Sequence, residues 1–210
     1  MLNVRPVKLM PVREQAAASL REAIITQNIK QGEVLALEST AKALGISVTP
    51  VREAFQILAR DGLIELAQNR GAVVLGMTAK NIREHYEIRA ALEAEACRLV
   101  CEKGADLSEI ERCVNNLVSH EADNYSDLNQ SFHYNIWLAS ENSRLVNMLS
   151  ELWNGLSMGV RTTKNEYARK SQAEHENIFY RLKARDEYAA SMAMREHILR
   201  SMNDMLTRYQ

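Results

Sequence analysis

Residues 45–74 read GISVTPVREAFQILARDGLIELAQNRGAVV, and two periodicities meet inside this stretch. Val51, Phe55 and Leu58 recur at spacings of four and three, which puts them on one face of a helix predicted over 50–60. Thr49 offers a hydroxyl to cap the free amides at its start, and Pro50 has the backbone angle of a first helical position. Beyond Arg60 the period shortens. Segments 63–67 and 72–75 are short β-suited runs joined by Gln68, Asn69, Arg70 and Gly71, so a two-stranded wing is predicted with Arg70 at its tip. Working upstream, Ala41 and Leu44 share one side of a short helix over 38–44, and Gly45 follows where a left-handed residue reverses the chain. Ile46 then turns inward. Ala16, Leu20, Ala23 and Ile24 form the apolar stripe of a first helix over 12–28, closed by Gly32. Helix, glycine turn and helix on a tight connector make a helix-turn-helix, whose second helix enters the major groove and presents its N-terminal side chains to base edges. Arg52 lies on the exposed side there.

Composition agrees with a helical protein. The chain has 210 residues, 46% hydrophobic and 25% charged, enough to bury one large core or two modest ones. With 6% aromatic residues, 8 Gly and 3 Pro, little material remains for a many-stranded sandwich or barrel. The fold class is therefore mainly α. No apolar run approaches the roughly 18 to 20 residues that span a bilayer, and 1–13 lacks the apolar core of a secretory signal. A cytoplasmic protein with no membrane partner is expected. Cys97, Cys101 and Cys113 are odd in number and lack Cys-x-x-Cys spacing, which argues against a disulfide framework. Cys97 and Cys101 are one helical turn apart and could meet a soft metal, but small packing thiols are the expectation. The net charge is −1. Through Gly76 there are nine basic and seven acidic residues, a weak excess of the sign expected of a DNA-binding front.

From Thr78 onward the pattern is amphipathic helix, over 79–103, 107–120, 123–140, 143–163, 169–184 and 187–208. Asp106 with Glu109, and Asp186, supply N-terminal caps. The chain thus divides into a winged helix-turn-helix over 1–76 and an all-helical antiparallel bundle over 77–210.

With these motifs placed, residues 45–74 resemble the winged helix of the GntR superfamily of bacterial transcription regulators. YEIRAALEAEA at 86–96, SFHYNIWLASEN at 131–142, His175 and His197 resemble the helical effector domain of its FadR subfamily, called the FCD domain. The resemblance implies a homodimer that binds inverted-repeat operators in double-stranded DNA. It also implies that the operator is released or remodelled when a small metabolite, usually a carboxylate, enters the bundle, which makes 77–210 the ligand-binding and dimerisation domain. Carried over by position, it makes Thr49 and Arg52 DNA contacts, with Ser47 ahead of the recognition helix and Arg70 and Gly71 at the wing tip. Arg52 can offer guanine two parallel donors. Glu53 is structural, since phosphate repels a carboxylate. The chain departs from the family at Val48, where an arginine is common, and at Glu38 and Thr40.

The same resemblance implies a divalent metal held by an Asp and a His four residues apart and by two histidines from later helices. The corresponding residues are Asn129, His133, His175 and His197. Three imidazoles suit zinc or nickel. Asn129 brings an oxygen but no charge, so the site holds a dication less tightly unless the effector supplies the anion. Asp127 is about 200° around the helix from Asn129 and does not replace it. Arg89 falls where the family places an arginine toward the effector; the alternative is a salt bridge to Glu93 one turn on. His85 and His120 match no ligand position and are read as surface residues. Met148, Met158, Met192, Met194, Met202 and Met205 are read as bundle core and dimer seam. The competing function is a metal-dependent enzyme in which the three-histidine pocket activates water, against which stands the winged helix. A constitutive architectural DNA binder would have no use for the long helical part.

Overall fold

The computed structural model describes residues 11–67, 71–119, 125–154 and 165–207. The chain forms two compact units, Met1–Thr78 and Ala79–Gln210.

The first unit contains α1 (Val12–Ile25), β1 (Val34–Leu35), α2 (Leu37–Leu44), α3 (Val48–Arg60), β2 (Ile64–Ala67) and β3 (Gly71–Val74). Ala16, Ala17, Leu20 and Ile24 of α1 are buried, as are Val51, Ala54, Phe55 and Leu58 of α3, and these two helices pack together. Buried Arg21 donates to Asp61 Oδ2 at 2.6 Å, tying α1 to the C-cap of α3. Gly45 closes α2 in the left-handed region at φ 66°, as its place in the sequence requires.

Two expectations need correction. Helix α3 begins at Val48, with extended Ser47 in the N-cap position, so Thr49 lies inside the first turn and does not cap it. Pro50 allows this because first-turn amides have no intrahelical partner, and a missing N–H there costs nothing. The wing is also not a lone hairpin. The sheet has the order β1-β3-β2, both pairings antiparallel, with Val34 opposite Val73 and Leu66 opposite Ala72. A two-residue strand carries no readable alternation, which is why β1 escapes sequence analysis.

The second unit contains α4 (Ala79–Glu102), α5 (Ser108–Ser119), α6 (Tyr125–Ala139), α7 (Ser143–Asn154), α8 (Asn165–Lys183) and α9 (Glu187–Leu206). These ends lie within four residues of the sequence reading wherever both can be compared; 155–163, expected to continue α7, falls outside the described residues. Asp186 caps α9 by accepting from the Ala189 amide at 2.9 Å. Asp106 accepts from the Ser108 amide at 3.0 Å, just ahead of α5. Helix α4 is central and packs on α6, α7, α8 and α9. Its buried stripe runs Ile82, Tyr86, Arg89, Ala90, Glu93, Ala96, Cys97, Val100 and Cys101, so an arginine and a glutamate occupy core positions. All three cysteines are buried free thiols. Met194 and Met205 are core residues, but Met148 is 52% exposed, and Met158 is outside the described residues. Among the described residues no helix is long and apolar enough to cross a membrane.

Gly71 opens β3 at φ 102°, and a Cβ there would lie 1.9 Å from the Leu35 carbonyl oxygen. Gly71→Ala should therefore cost about 2 kcal/mol or more, read as a lower midpoint of urea unfolding. An unchanged midpoint would contradict this close approach of β3 to the end of β1.

Candidate functional site

On α3 the apolar stripe faces inward and leaves Ser47, Thr49 and Arg52 exposed together at the N-terminal end. Ser47 makes no side-chain hydrogen bond to the amides of α3. Glu53 pairs with Arg13 at 3.7 Å, in keeping with its structural reading. Arg70 and His120 lie outside the described residues. Gly71 is buried against β1, so its demonstrable part is to hold the wing.

In the helical unit, His133 from α6, His175 from α8 and His197 from α9 are each buried, and their donor atoms lie within 4.8 Å of one another. His197 Nε2 is 3.3 Å from His133 Nε2 and 3.3 Å from His175 Nε2. The three rings thus turn the same nitrogen to a common point. Phe132 stacks on His175 at 4.3 Å between centroids, and Trp153 tilts against His133 at 5.2 Å. Asn129 is one turn before His133 on α6, half-buried, with Oδ1 at 3.4 Å from the Tyr125 hydroxyl that donates to it.

Behind two of the rings stand carboxylates. His133 Nδ1 is 2.5 Å from Glu93 Oε2, which also accepts from Trp137 Nε1 at 3.1 Å, while Glu93 Oε1 accepts from Arg89 Nε at 2.7 Å. His197 Nδ1 is 2.6 Å from Glu174 Oε2. Arg200 donates to that carboxylate through Nε and one terminal nitrogen, and reaches Asp204 and Ser171 as well. Two Arg–Glu–His chains therefore end nitrogen to nitrogen.

Burial pushes the Glu93 carboxyl up, but the His133, Arg89 and Trp137 donors outweigh it and hold the group at about 2. Burial lowers all three histidines, His197 to about 4, against which its Glu174 hydrogen bond is a partial offset. At neutral pH the rings are uncharged. Each Nδ1 facing an ionised carboxylate must carry the proton, so His133 and His197 present bare Nε2 lone pairs to one another. No hydrogen bond can join two lone pairs, and a cation between them removes the repulsion. Donors on one four-coordinate ion with bonds of about 2.0–2.1 Å stand about 3.3–3.4 Å apart, which the two spacings from His197 match, the whole cluster lying within 4.8 Å. The residues fit a borderline divalent metal.

His175 differs from its partners, since its Nδ1 is buried with no hydrogen-bond partner among the described residues. Arg89 does make the Glu93 pair, and its guanidinium also lies over the Trp153 ring at 4.4 Å. His85 is half-buried rather than on the surface, edge-on to Tyr86. Sequence reading missed Glu93 and Glu174 as site residues. For Glu93 a signal existed: a glutamate on the apolar stripe of a core helix, four residues after an arginine on the same stripe, must be paired. Glu174 stands next to a ligand candidate but lacks such a mark, because α8 has charges on several sides. Both carboxylates are engaged in holding rings, which leaves neither poised as a base toward substrate.

Comparison with known families matches residues 12–74 to "Bacterial regulatory proteins, gntR family" and residues 84–200 to "FCD domain". The chain is 30% identical over 208 residues to the "Uncharacterized HTH-type transcriptional regulator YdhC" of Bacillus subtilis (strain 168), covering 93% of this chain and 90% of that protein. It is 27% identical over 219 residues to the "Glc operon transcriptional activator" of Escherichia coli (strain K12), covering 90% of this chain and 86% of the other. Among solved structures, E. coli McbR/YncC superposes with a TM-score of 0.70 at 21% identity, over 96% of this chain and all of that one (100%). The winged helix-turn-helix and the helical unit thus both have relatives, over 93% of this chain in the first case above. The chain belongs to the GntR family, with an FCD effector domain, and is a metabolite-responsive transcriptional regulator rather than an enzyme.

Proposed function

We propose that this regulator binds an inverted-repeat operator as a homodimer in the cytoplasm, with the winged unit (1–76) reading DNA and the helical unit (77–210) dimerising and binding the effector. Ser47, Thr49 and Arg52 form the reading edge of α3, and Arg70 at the wing tip meets the backbone. Gly71 serves by keeping β3 close to β1. In the helical unit, a zinc or nickel ion held by His133, His175 and His197, with Asn129 beside them, receives a carboxylate metabolite whose other end meets Arg89. When bound, the ion supplies a positive charge at which an anion completes the coordination shell. The single observation that carries the effector reading is the opposition of His133 and His197 Nε2 at 3.3 Å with both Nδ1 atoms on glutamates.

Charge accounting favours an anion there. Arg89 and Arg200 face Glu93, Glu174 and the half-exposed Asp204, and the three rings and Asn129 are neutral, so a dication still leaves an excess of one positive charge. A buried charge needs a partner, and a carboxylate supplies it.

At the operator, Arg52→Ala should lose about 1 to 3 kcal/mol and relax sequence preference, while Arg70→Ala should weaken all sequences alike and lower the salt slope by about one. Fluorescence anisotropy on operator and scrambled duplexes reads both. Equal operator binding by wild type and Arg52→Ala would overturn the assignment.

For the metal, protons and the ion compete for Nε2, and burial lowers the affinity of the rings for protons, His197 to about 4. Zinc should therefore stay bound at pH 6 and leave only as pH falls toward that value. Asn129→Asp should tighten zinc by adding a charge, and His133→Ala should loosen it. Elemental analysis finding neither metal after incubation with zinc or nickel would reject the site.

A further inference from the structure

We infer that Arg13 is a positioning residue for DNA: by pairing with Glu53 it covers the one acid on the reading helix α3, so that a DNA backbone meets a neutral pair there instead of a carboxylate. The inference rests on the reading of α3 proposed above. Two contacts fix the relation of α1 to α3. Arg13 stands 3.7 Å from Glu53, and Arg21, further along α1, stands 2.6 Å from Asp61 at the C-cap of α3, so the two helices run parallel. The first turn of α1 therefore lies at the same end of the unit as the first turns of α3, the end that carries exposed Ser47, Thr49 and Arg52. Packed helices stand about 8–10 Å apart, and the major groove that admits a reading helix is about 12 Å wide. A helix beside the reading helix thus meets the phosphate wall of the groove, not the bases.

Charge and position single out Glu53. It follows Arg52 directly, and α3 contains no other carboxylate. At a rise of about 1.5 Å per residue it lies about 7–8 Å along the axis from Val48, within the Debye length of about 8 Å at physiological salt. An uncovered charge there is felt by phosphates at the reading end. Arg13, Glu53, Gln56, Ile57 and Arg60 line one open groove of about 480 Å³ between α1 and α3. Arg60, however, lies about 18 Å from Val48 and is screened from that end. The Arg13–Glu53 pair adds little to folding, because both side chains are half-exposed and ion pairs of that kind contribute little to stability. Its consequence is read in binding instead.

Rescue distinguishes charge cover from packing. The full chain is titrated by fluorescence anisotropy at about 0.1 M salt against two duplexes, one that wild type selects from random-sequence DNA and a scrambled one of the same composition. Arg13→Gln should weaken both about 3- to 10-fold, an effect that fades by about 0.4 M salt. Arg13→Lys should keep most of the wild-type affinity. Adding Glu53→Gln to Arg13→Gln should recover most of the loss, as a double-mutant cycle reads, with thermal midpoints close to wild type throughout. Arg60→Gln removes the same charge from the same groove and should change binding less than about twofold. A double variant as weak as Arg13→Gln would overturn the inference, and so would an Arg60→Gln loss equal to that of Arg13→Gln, or Arg13→Gln binding both duplexes as wild type does. Arg52→Ala separates this outcome from the reading beneath it: if that variant keeps the wild-type preference for the selected duplex, the reading of α3 falls and this inference falls with it.

Discussion

Two imidazole lone pairs facing one another across 3.3 Å are the constraint around which the helical unit is arranged. Left alone they repel, and three features keep them in place. Glu93 and Glu174 fix the tautomers by accepting from Nδ1. Arg89 and Arg200 hold the glutamates. Phe132, Trp137 and Trp153 wall the rings off from water. Removing any one layer releases the next, since a buried glutamate without its arginine, or a ring without its glutamate, is an uncompensated polar group worth several kcal/mol. Such an arrangement is inefficient as a core. It is intelligible as a place prepared for a cation and the anion that accompanies it.

Helix α4 explains how the fold can hold this arrangement. It packs against α6, α7, α8 and α9, so one residue at its centre can reach ligands and walls on several neighbours. Glu93 does so, touching His133 and Trp137 of α6 from a stripe that apart from Arg89 is made of alanine, cysteine, valine, isoleucine and one tyrosine. Small residues at Ala90, Ala96 and Cys97 let the neighbouring helices approach closely enough for a short carboxylate to bridge them. The winged unit solves a different problem with ordinary means: a glycine turn, a buried Arg21–Asp61 pair, and a glycine where the backbone of β3 closely meets that of β1.

Much of this was legible in the residues. The stripe of Val51, Phe55 and Leu58 and the turn at Gly45 place the recognition helix, and six amphipathic runs place the second unit, because periodicity is a property of sequence alone. The convergence of His133, His175 and His197 was readable only through family resemblance, since 42 and 22 residues of chain separate them and no spacing rule joins side chains on three helices. The Glu93 contact to His133 was not readable at all. It depends on how α4 packs on α6, and the sequence offers only the local pair with Arg89, which looks like any salt bridge one turn apart. Strand β1 and the start of α3 at Val48 were missed for simpler reasons, a segment too short for a pattern and a proline that ends the search early without ending the helix.

The central claim is the protonation pattern of the three rings, and nitrogen NMR of imidazole-labelled protein reads it directly. In the zinc-loaded protein at pH 7.5, His133 and His197 should each show a protonated Nδ1 and an Nε2 shifted away from the free-base position by coordination, with His175 showing the same shift at Nε2. Metal-free protein should return the Nε2 resonances of His133 and His197 to the free-base position while Nδ1 stays protonated. Protons found on Nε2 of His133 or His197, with and without zinc, would contradict the account.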